Sequence, residues 1–171
     1  IIGKNANDID EIISKNNLDI VIANDNSPMQ VVVSGLINNI NDAESIFISN
    51  GVRKYIKLNV SAAFHSKYME VAQNMLKDEI DKISFFPSII PIISNFDAVI
   101  NSNTDKIIDS LKNQMANKVR WTESIKKLEE TEISEIIEIG PGKVLSGLIS
   151  RITKKFDIIS IDKIADLDKF K

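Results

Sequence analysis

Asn24-Asp25-Asn26-Ser27-Pro28-Met29-Gln30-Val31-Val32-Val33-Ser34-Gly35 is the stretch that decides how the first third of the chain folds. Its opening is turn chemistry: short amide and carboxylate side chains bond back to nearby backbone, and proline presets φ. Apolar, β-branched residues lie on either side, at 19–23 and 30–34, so the pattern predicts two strands joined by a turn. Upstream, Ile9, Ile12 and Ile13 recur at helical spacing with Asn7 or Asp8 available as a cap, and Ile1-Ile2 looks like the tail of a strand. Downstream, Asn41 followed by Glu44 resembles a capping box opening a helix through Ala43, Ile46 and Phe47. Asn50-Gly51 suits its left-handed end, and residues 53–60 are expected to form another strand. The order strand, helix, strand, strand, helix, strand is the ferredoxin-like, split-βαβ arrangement, which predicts a small subdomain over residues 1–60.

Composition narrows the chemistry. At 171 residues the chain is long enough for one domain or two small ones. A net charge of −3 offers no general basic field for nucleic acid. With no cysteine and one histidine there is no disulfide, no thiol nucleophile and no histidine-rich metal site, so no metal is expected. No apolar run approaches the roughly 20 residues that cross a bilayer, and no membrane partner is expected. The opening Ile-Ile-Gly, without Met or leader, looks like the inside of a strand, so the chain is expected to be a piece of something longer. A cytoplasmic location is expected, or a plastid or mitochondrial one if a leader precedes Ile1.

From residue 61 onward strands and helices alternate. Residues 66–82 carry Met69, Ala72, Leu76 and Ile80 as a helical stripe. Ile89-Ile90-Pro91-Ile92-Ile93 is a continuous apolar run suited to a strand buried on both faces, although Pro91 cannot donate to a ladder. Thr104 is placed to cap a helix with Ile107, Ile108, Leu111 and Met115, and a further helix is expected over 122–130. A strand at 135–139, a Gly140-Pro141-Gly142 turn, a helix from Val144 and a last strand at 156–161 complete the pattern. Such alternation predicts a largely parallel sheet. Gly140-Pro141-Gly142 lacks the phosphate-loop spacing and is a tight strand-to-helix turn. The join between the two parts is expected near residues 60–62.

His65, the single histidine, sits where residues 53–60 give way to the helical pattern. Imidazole is the side chain whose unperturbed pKa lies nearest neutrality, which makes it a proton shuttle. A structural histidine filling a loop or capping a helix is the alternative.

Four stretches together resemble the malonyl-CoA:acyl-carrier-protein transacylase family and the acyltransferase domains of polyketide and fatty-acid synthases. They are residues 24–35, Val60-Ser61-Ala62-Ala63-Phe64-His65-Ser66-Lys67-Tyr68-Met69, residues 114–121, and Glu138-Ile139-Gly140-Pro141-Gly142-Lys143-Val144-Leu145. The resemblance implies an α/β fold: a ferredoxin-like small subdomain over 1–60, then, over 61–171, the C-terminal part of an α/β-hydrolase-like large subdomain. It implies a ping-pong transfer in which a serine attacks the malonyl thioester and a histidine takes its proton. His65 matches that general base, and Gln114 the position whose main-chain carbonyl orients it. Phe64 matches a position where phenylalanine goes with malonyl selection. Asn24, Asn26 and Gln30 match residues lining the substrate cleft, and Arg53 and Lys54 a basic pair that could meet CoA phosphates or an acidic carrier protein. The implied partners are malonyl-CoA, acyl carrier protein and the missing N-terminal half. No cofactor is implied beyond the phosphopantetheine that the carrier brings.

The chain departs from that family in one decisive way. Its members carry the nucleophile on a G-x-S-x-G elbow, and no serine here has glycine at both i−2 and i+2. Lys118 also stands where a proline is usual. The chain is therefore expected to be the C-terminal half of a malonyl transacylase of fatty-acid biosynthesis, inactive by itself. An acyltransferase domain of a larger synthase and a non-enzymatic ferredoxin-like ligand-binding module are the alternatives.

Overall fold

A β-hairpin organises the start of the molecule. In the computed structural model, which describes residues 1–170, α1 (Ala6–Lys15) leads into β1 (Ile20–Ser27) and β2 (Gln30–Gly35), paired antiparallel. β1 runs through Asn24, Asp25 and Asn26, which the sequence pattern assigned to the turn; the loop is only Pro28-Met29, between the partners Ser27 and Gln30. The extra length is held from outside the hairpin. Val119 N–H donates to the Ala23 carbonyl at 2.8 Å and Asp25 N–H donates to the Val119 carbonyl at 3.0 Å. Thr122 Oγ1 donates to Asp25 Oδ1 at 2.7 Å.

Ile2 continues this sheet. It bridges Gln30 on one side and Lys54 on the other, both antiparallel. The first strand expected at Ile1-Ile2 and the last expected at 53–60 are thus reduced to bridges. The pairing stops because the chain turns away at Gly3, whose φ of +112° and 2.7 Å clearance to Arg53 Cβ leave no room for a side chain. Past Lys54 the segment has no ladder partner among the described residues, and Ile56, Leu58 and Val60 are exposed.

α1 is capped by Asn5, whose side chain accepts from Asp8 N–H at 2.9 Å, in place of the expected Asn7 or Asp8. α2 (Ile37–Ser49) starts four residues before the expected capping box at Asn41 and has no side-chain cap. Glu44 instead pairs with Lys57 at 2.9 Å. The two helices and the sheet enclose Ile9, Ile12, Ile20, Ile22, Val31, Ala43, Phe47 and Val52. Phe47 is fully buried and stacks on Tyr55 with centroids 5.7 Å apart. The Tyr55 hydroxyl donates to the Ile40 carbonyl at 2.6 Å, and burial, with Glu44 nearby, pushes the phenol up to about 12.

A short 3₁₀ turn (Lys67–Met69) precedes α3 (Glu70–Ile80), and α4 (Thr104–Asn113) lies against α3, with Lys112 pairing Asp81. Asn103, not Thr104, caps α4. The buried strand expected around 85–95 is a correction. Only Ile92–Ile93 pairs, as β3 with β4 (Ile100–Asn101), antiparallel, while Phe86 and Ile89 are 87% and 95% exposed. Pro87 and Pro91 withhold two donors, and no further described strand lies alongside.

α5 (Trp121–Glu129) leads into the last part. There β5 (Glu135–Ile139) and β6 (Asp157–Ile161) pair in parallel across α6 (Val144–Ile152), a βαβ unit. This is the one parallel strand pair among the described residues; the other two sheets are antiparallel hairpins, so the expected largely parallel sheet is corrected. Glu138, next to last in β5, accepts from Leu145 N–H at 2.9 Å, from Ser146 N–H at 2.8 Å and from the Ser146 hydroxyl. The chain divides into compact units at Ser124/Ile125, not near 60–62, because residues 61–124 are hydrogen-bonded into the hairpin unit. The closing segment Ile164–Phe170 is a 3₁₀ helix.

Candidate active site

His65 occupies a turn that few residues tolerate. Its φ is +58°, the left-handed region in which histidine is enriched among non-glycine residues. Ser66, buried beside it, closes the turn by donating its hydroxyl to the Ala63 carbonyl at 2.6 Å. The His65 N–H donates to the Met115 carbonyl at 3.1 Å. Its ring Nδ1 lies 3.1 Å from the Gln114 carbonyl and 3.1 Å from the Asn117 carbonyl.

Both ring partners are carbonyl oxygens, which can only accept. Nδ1 must therefore carry the proton, leaving Nε2 with its lone pair in the neutral ring. The Gln114 carbonyl is that of the α4 C-cap, and the Asn117 carbonyl lies in the turn that follows. Helix termini leave their last carbonyls without intrahelical donors, and their partial negative charge favours a cation. The arrangement fixes one tautomer, orients the ring and stabilises the imidazolium that forms if Nε2 takes a proton.

The segment bearing these carbonyls is pinned along its length. Ala116 N–H donates to the buried Gln73 Oε1 at 2.9 Å, Gln114 Nε2 to the Asn117 carbonyl at 3.2 Å and Asn117 Nδ2 to the Asn113 carbonyl at 2.7 Å. Beyond it, Val119 bridges to Asn24 of β1. Lys118, which stands where a proline is usual, pairs with Glu123 at 3.7 Å.

His65 lines a cavity of about 980 Å³ together with Phe64, Asn24, Asn26 and Gln30. Four expected substrate residues thus share one concavity with the expected base. Val31, Val33, Ile40, Tyr55 and Leu58 give it a largely apolar wall, as small-molecule sites have. Phe64 is 45% exposed, a wall residue and not core. Gln114 reaches the site through its main-chain oxygen, and its own Oε1 is buried without a partner. Arg53 and Lys54 lie outside this lining as an exposed basic pair, with both backbone N–H groups donating to the Ile2 carbonyl. Lys57 lines the cavity.

Sequence reasoning missed the Asn117 and Met115 carbonyls and Tyr68. Main-chain acceptors leave no trace in residue type. Tyr68, which lines the cavity, donates to Asp19 Oδ2 at 3.1 Å, and Lys67 pairs with Asp19 at 2.6 Å. The hydrogen bonds from Lys67 and Tyr68 hold the Asp19 carboxyl below its usual range.

No protein-family model matches the chain. It is 42% identical over 154 residues to "Polyketide biosynthesis protein PksE" of Bacillus subtilis, covering 89% of this chain and 20% of that protein. It is 35% identical over 152 residues to the malonyl CoA-acyl carrier protein transacylase of Synechocystis, covering 89% of this chain and 51% of that one. Among solved structures, a type II polyketide acyl-carrier protein in complex with its malonyl-transacylase superposes with a TM-score of 0.92 at 30% identity, over 99% of this chain and 55% of that chain. The chain is thus related to the malonyl CoA-acyl carrier protein transacylases and shares their α/β fold, and it spans about half the length of the Synechocystis relative.

Proposed function

We propose that this chain, a relative of the malonyl CoA-acyl carrier protein transacylases, supplies the general base and much of the substrate cleft of an enzyme moving malonyl from CoA to acyl carrier protein. It would correspond to the C-terminal half of that enzyme. The observation that carries this reading is the His65 ring, held at Nδ1 by the Gln114 and Asn117 carbonyls and left with a free lone pair at Nε2. Nε2 takes the proton of a serine hydroxyl as its oxygen attacks the malonyl thioester carbon, and the imidazolium returns that proton to the departing CoA sulfur. In the second half-reaction Nε2 takes the proton of the carrier's pantetheine thiol, sulfur attacks the acyl-serine, and the serine oxygen is reprotonated. Apart from the pantetheine arm that the carrier brings, these steps use only side-chain and main-chain groups. The histidine and the carbonyls hold the role that an aspartate and histidine share in the commoner triad.

None of the serines in this sequence stands on a G-x-S-x-G elbow, so the nucleophile is assigned to polypeptide outside these 171 residues. Phe64 on the cavity wall favours malonyl over acyl groups branched at the α carbon. The relationship to PksE supports a second reading, an acyltransferase of polyketide rather than fatty-acid synthesis. Malonyl transfer to acyl carrier protein tests the proposal. The complete enzyme should lose about 10²–10⁴-fold in rate with His65→Ala, and the isolated chain should transfer no malonyl. Turnover by the isolated chain comparable to the complete enzyme, or an unaffected His65→Ala enzyme, would refute it.

A further inference from the structure

Gln73 is a polar side chain where α3 should be apolar. It is 6% exposed, and a buried amide needs a partner. The partner is informative: its Oε1 accepts from Ala116 N–H at 2.9 Å. Ala116 lies inside the short segment whose carbonyls at Gln114, Met115 and Asn117 all receive hydrogen bonds from His65. The Met115 and Asn117 oxygens flank it directly. Each peptide plane is rigid, so fixing the N–H of Ala116 fixes the Met115 carbonyl on the same plane and limits the swing of the next one.

We propose that Gln73 is a positioning residue for His65: it anchors the 114–117 segment and so sets the direction of the carbonyls that hold the imidazole. This rests on the reading of His65 as a general base. The loop is closed locally, because α3 begins just after the histidine turn and returns a side chain to the segment that grips the ring. Without the bond, Ala116 N–H would be left in a partly buried site with no acceptor, and the segment would rotate to find one. The carbonyls would turn with it, and the ring would lose its fixed tautomer.

With a single histidine in the chain, the imidazole nitrogens give one unambiguous set of ¹⁵N signals. On the full chain at a pH where the ring is neutral, His65 should be the Nδ1–H tautomer. Gln73→Met, close in volume and without an acceptor, should shift the population toward the tautomer mixture of free imidazole while leaving distant amide signals in place. Gln73→Glu keeps an oxygen for Ala116 N–H and should restore the Nδ1–H form. In the complete enzyme Gln73→Met should lower kcat about tenfold with KM for malonyl-CoA little changed, since misplacement of a reacting group falls on the chemical step.

An unchanged Nδ1–H population in a folded Gln73→Met chain would overturn the proposal and leave the base reading intact. A wild-type ring carrying its proton on Nε2 would instead overturn the base reading, and this inference with it. Hydrogen exchange on the unmodified chain covers the case of a variant that fails to fold. Ala116 N–H and His65 Nδ1–H should be protected together, and free exchange at Ala116 beside a protected ring would also overturn the proposal.

Discussion

His65→Gly separates a residue kept for chemistry from one kept for folding. At φ +58° the backbone strain of a side chain is about 1–2 kcal/mol, at the lower end for histidine, and glycine removes it. Glycine gives back about 0.5–1 kcal/mol through the greater freedom of its unfolded state. The Nδ1 proton is shared between two carbonyls at 3.1 Å, so its loss costs about one ordinary hydrogen bond, roughly 1 kcal/mol net. These contributions nearly cancel, and the variant should unfold within about 1 kcal/mol of the parent. The transfer rate should fall about 10²–10⁴-fold, or about 2.7–5.4 kcal/mol in barrier. Urea unfolding of the chain supplies the first number, and malonyl transfer by the complete enzyme the second. His65→Asn, which also tolerates the left-handed region, should behave alike in both assays. A loss of more than about 3 kcal/mol in stability with transfer unimpaired would refute the reasoning and make His65 a structural turn residue.

Phe47→Ala should destabilise the hairpin unit by about 3–5 kcal/mol in urea unfolding, because Phe47 is fully buried against α1 and the sheet and stacks on Tyr55; a loss under 1 kcal/mol would mean that the core collapses around the gap. Phe64→Ser should narrow the preference for malonyl over methylmalonyl by about 1–3 kcal/mol, read as the ratio of kcat/KM values, while an unchanged ratio would place the selecting wall elsewhere. Glu138 is subject to burial, which pushes its carboxyl up, but the Ser146 hydroxyl and the Ser146 and Leu145 N–H groups outweigh it and hold the carboxyl below its ordinary value. A carboxyl lowered in the folded state stabilises above its unfolded pKa, and that contribution drains away as pH falls through the folded one. Glu138→Gln should therefore flatten the acid side of the stability profile of the βαβ unit, measured by urea unfolding from pH 7 down to about 3, and an unchanged slope would count against the carboxylate clamp.

Residue type carried much of the site. The histidine, the phenylalanine beside it and the two asparagines of β1 were chosen from the sequence, and the structure brings all of them to one cavity. Gln114 could be named as a position but not explained by its side chain, because what matters there is an oxygen that every residue possesses. The same blindness hid Asn117 and Met115. Arg53 and Lys54 were named for their charge, and their backbone bonds to Ile2 leave both exposed outside the cavity.

The fold was legible wherever one segment contained its own instructions. α1, α3, α4 and α6 follow from apolar spacing that a helix satisfies within itself, and the β1–β2 hairpin follows from two β-branched runs beside a proline turn. Strands that needed a distant partner were misjudged in both directions. Asn24, Asp25 and Asn26 have turn composition, yet they extend β1 because Val119 and Thr122 supply hydrogen bonds from far along the chain. Ile89 and Ile90 have strand composition, yet they lie exposed because nothing described runs beside them. A ladder is a property of two segments, so the periodicity of one states a preference and the neighbour decides whether it is met. The same holds for His65: imidazole chemistry made it a candidate base, and the Gln114 and Asn117 carbonyls make it an oriented one.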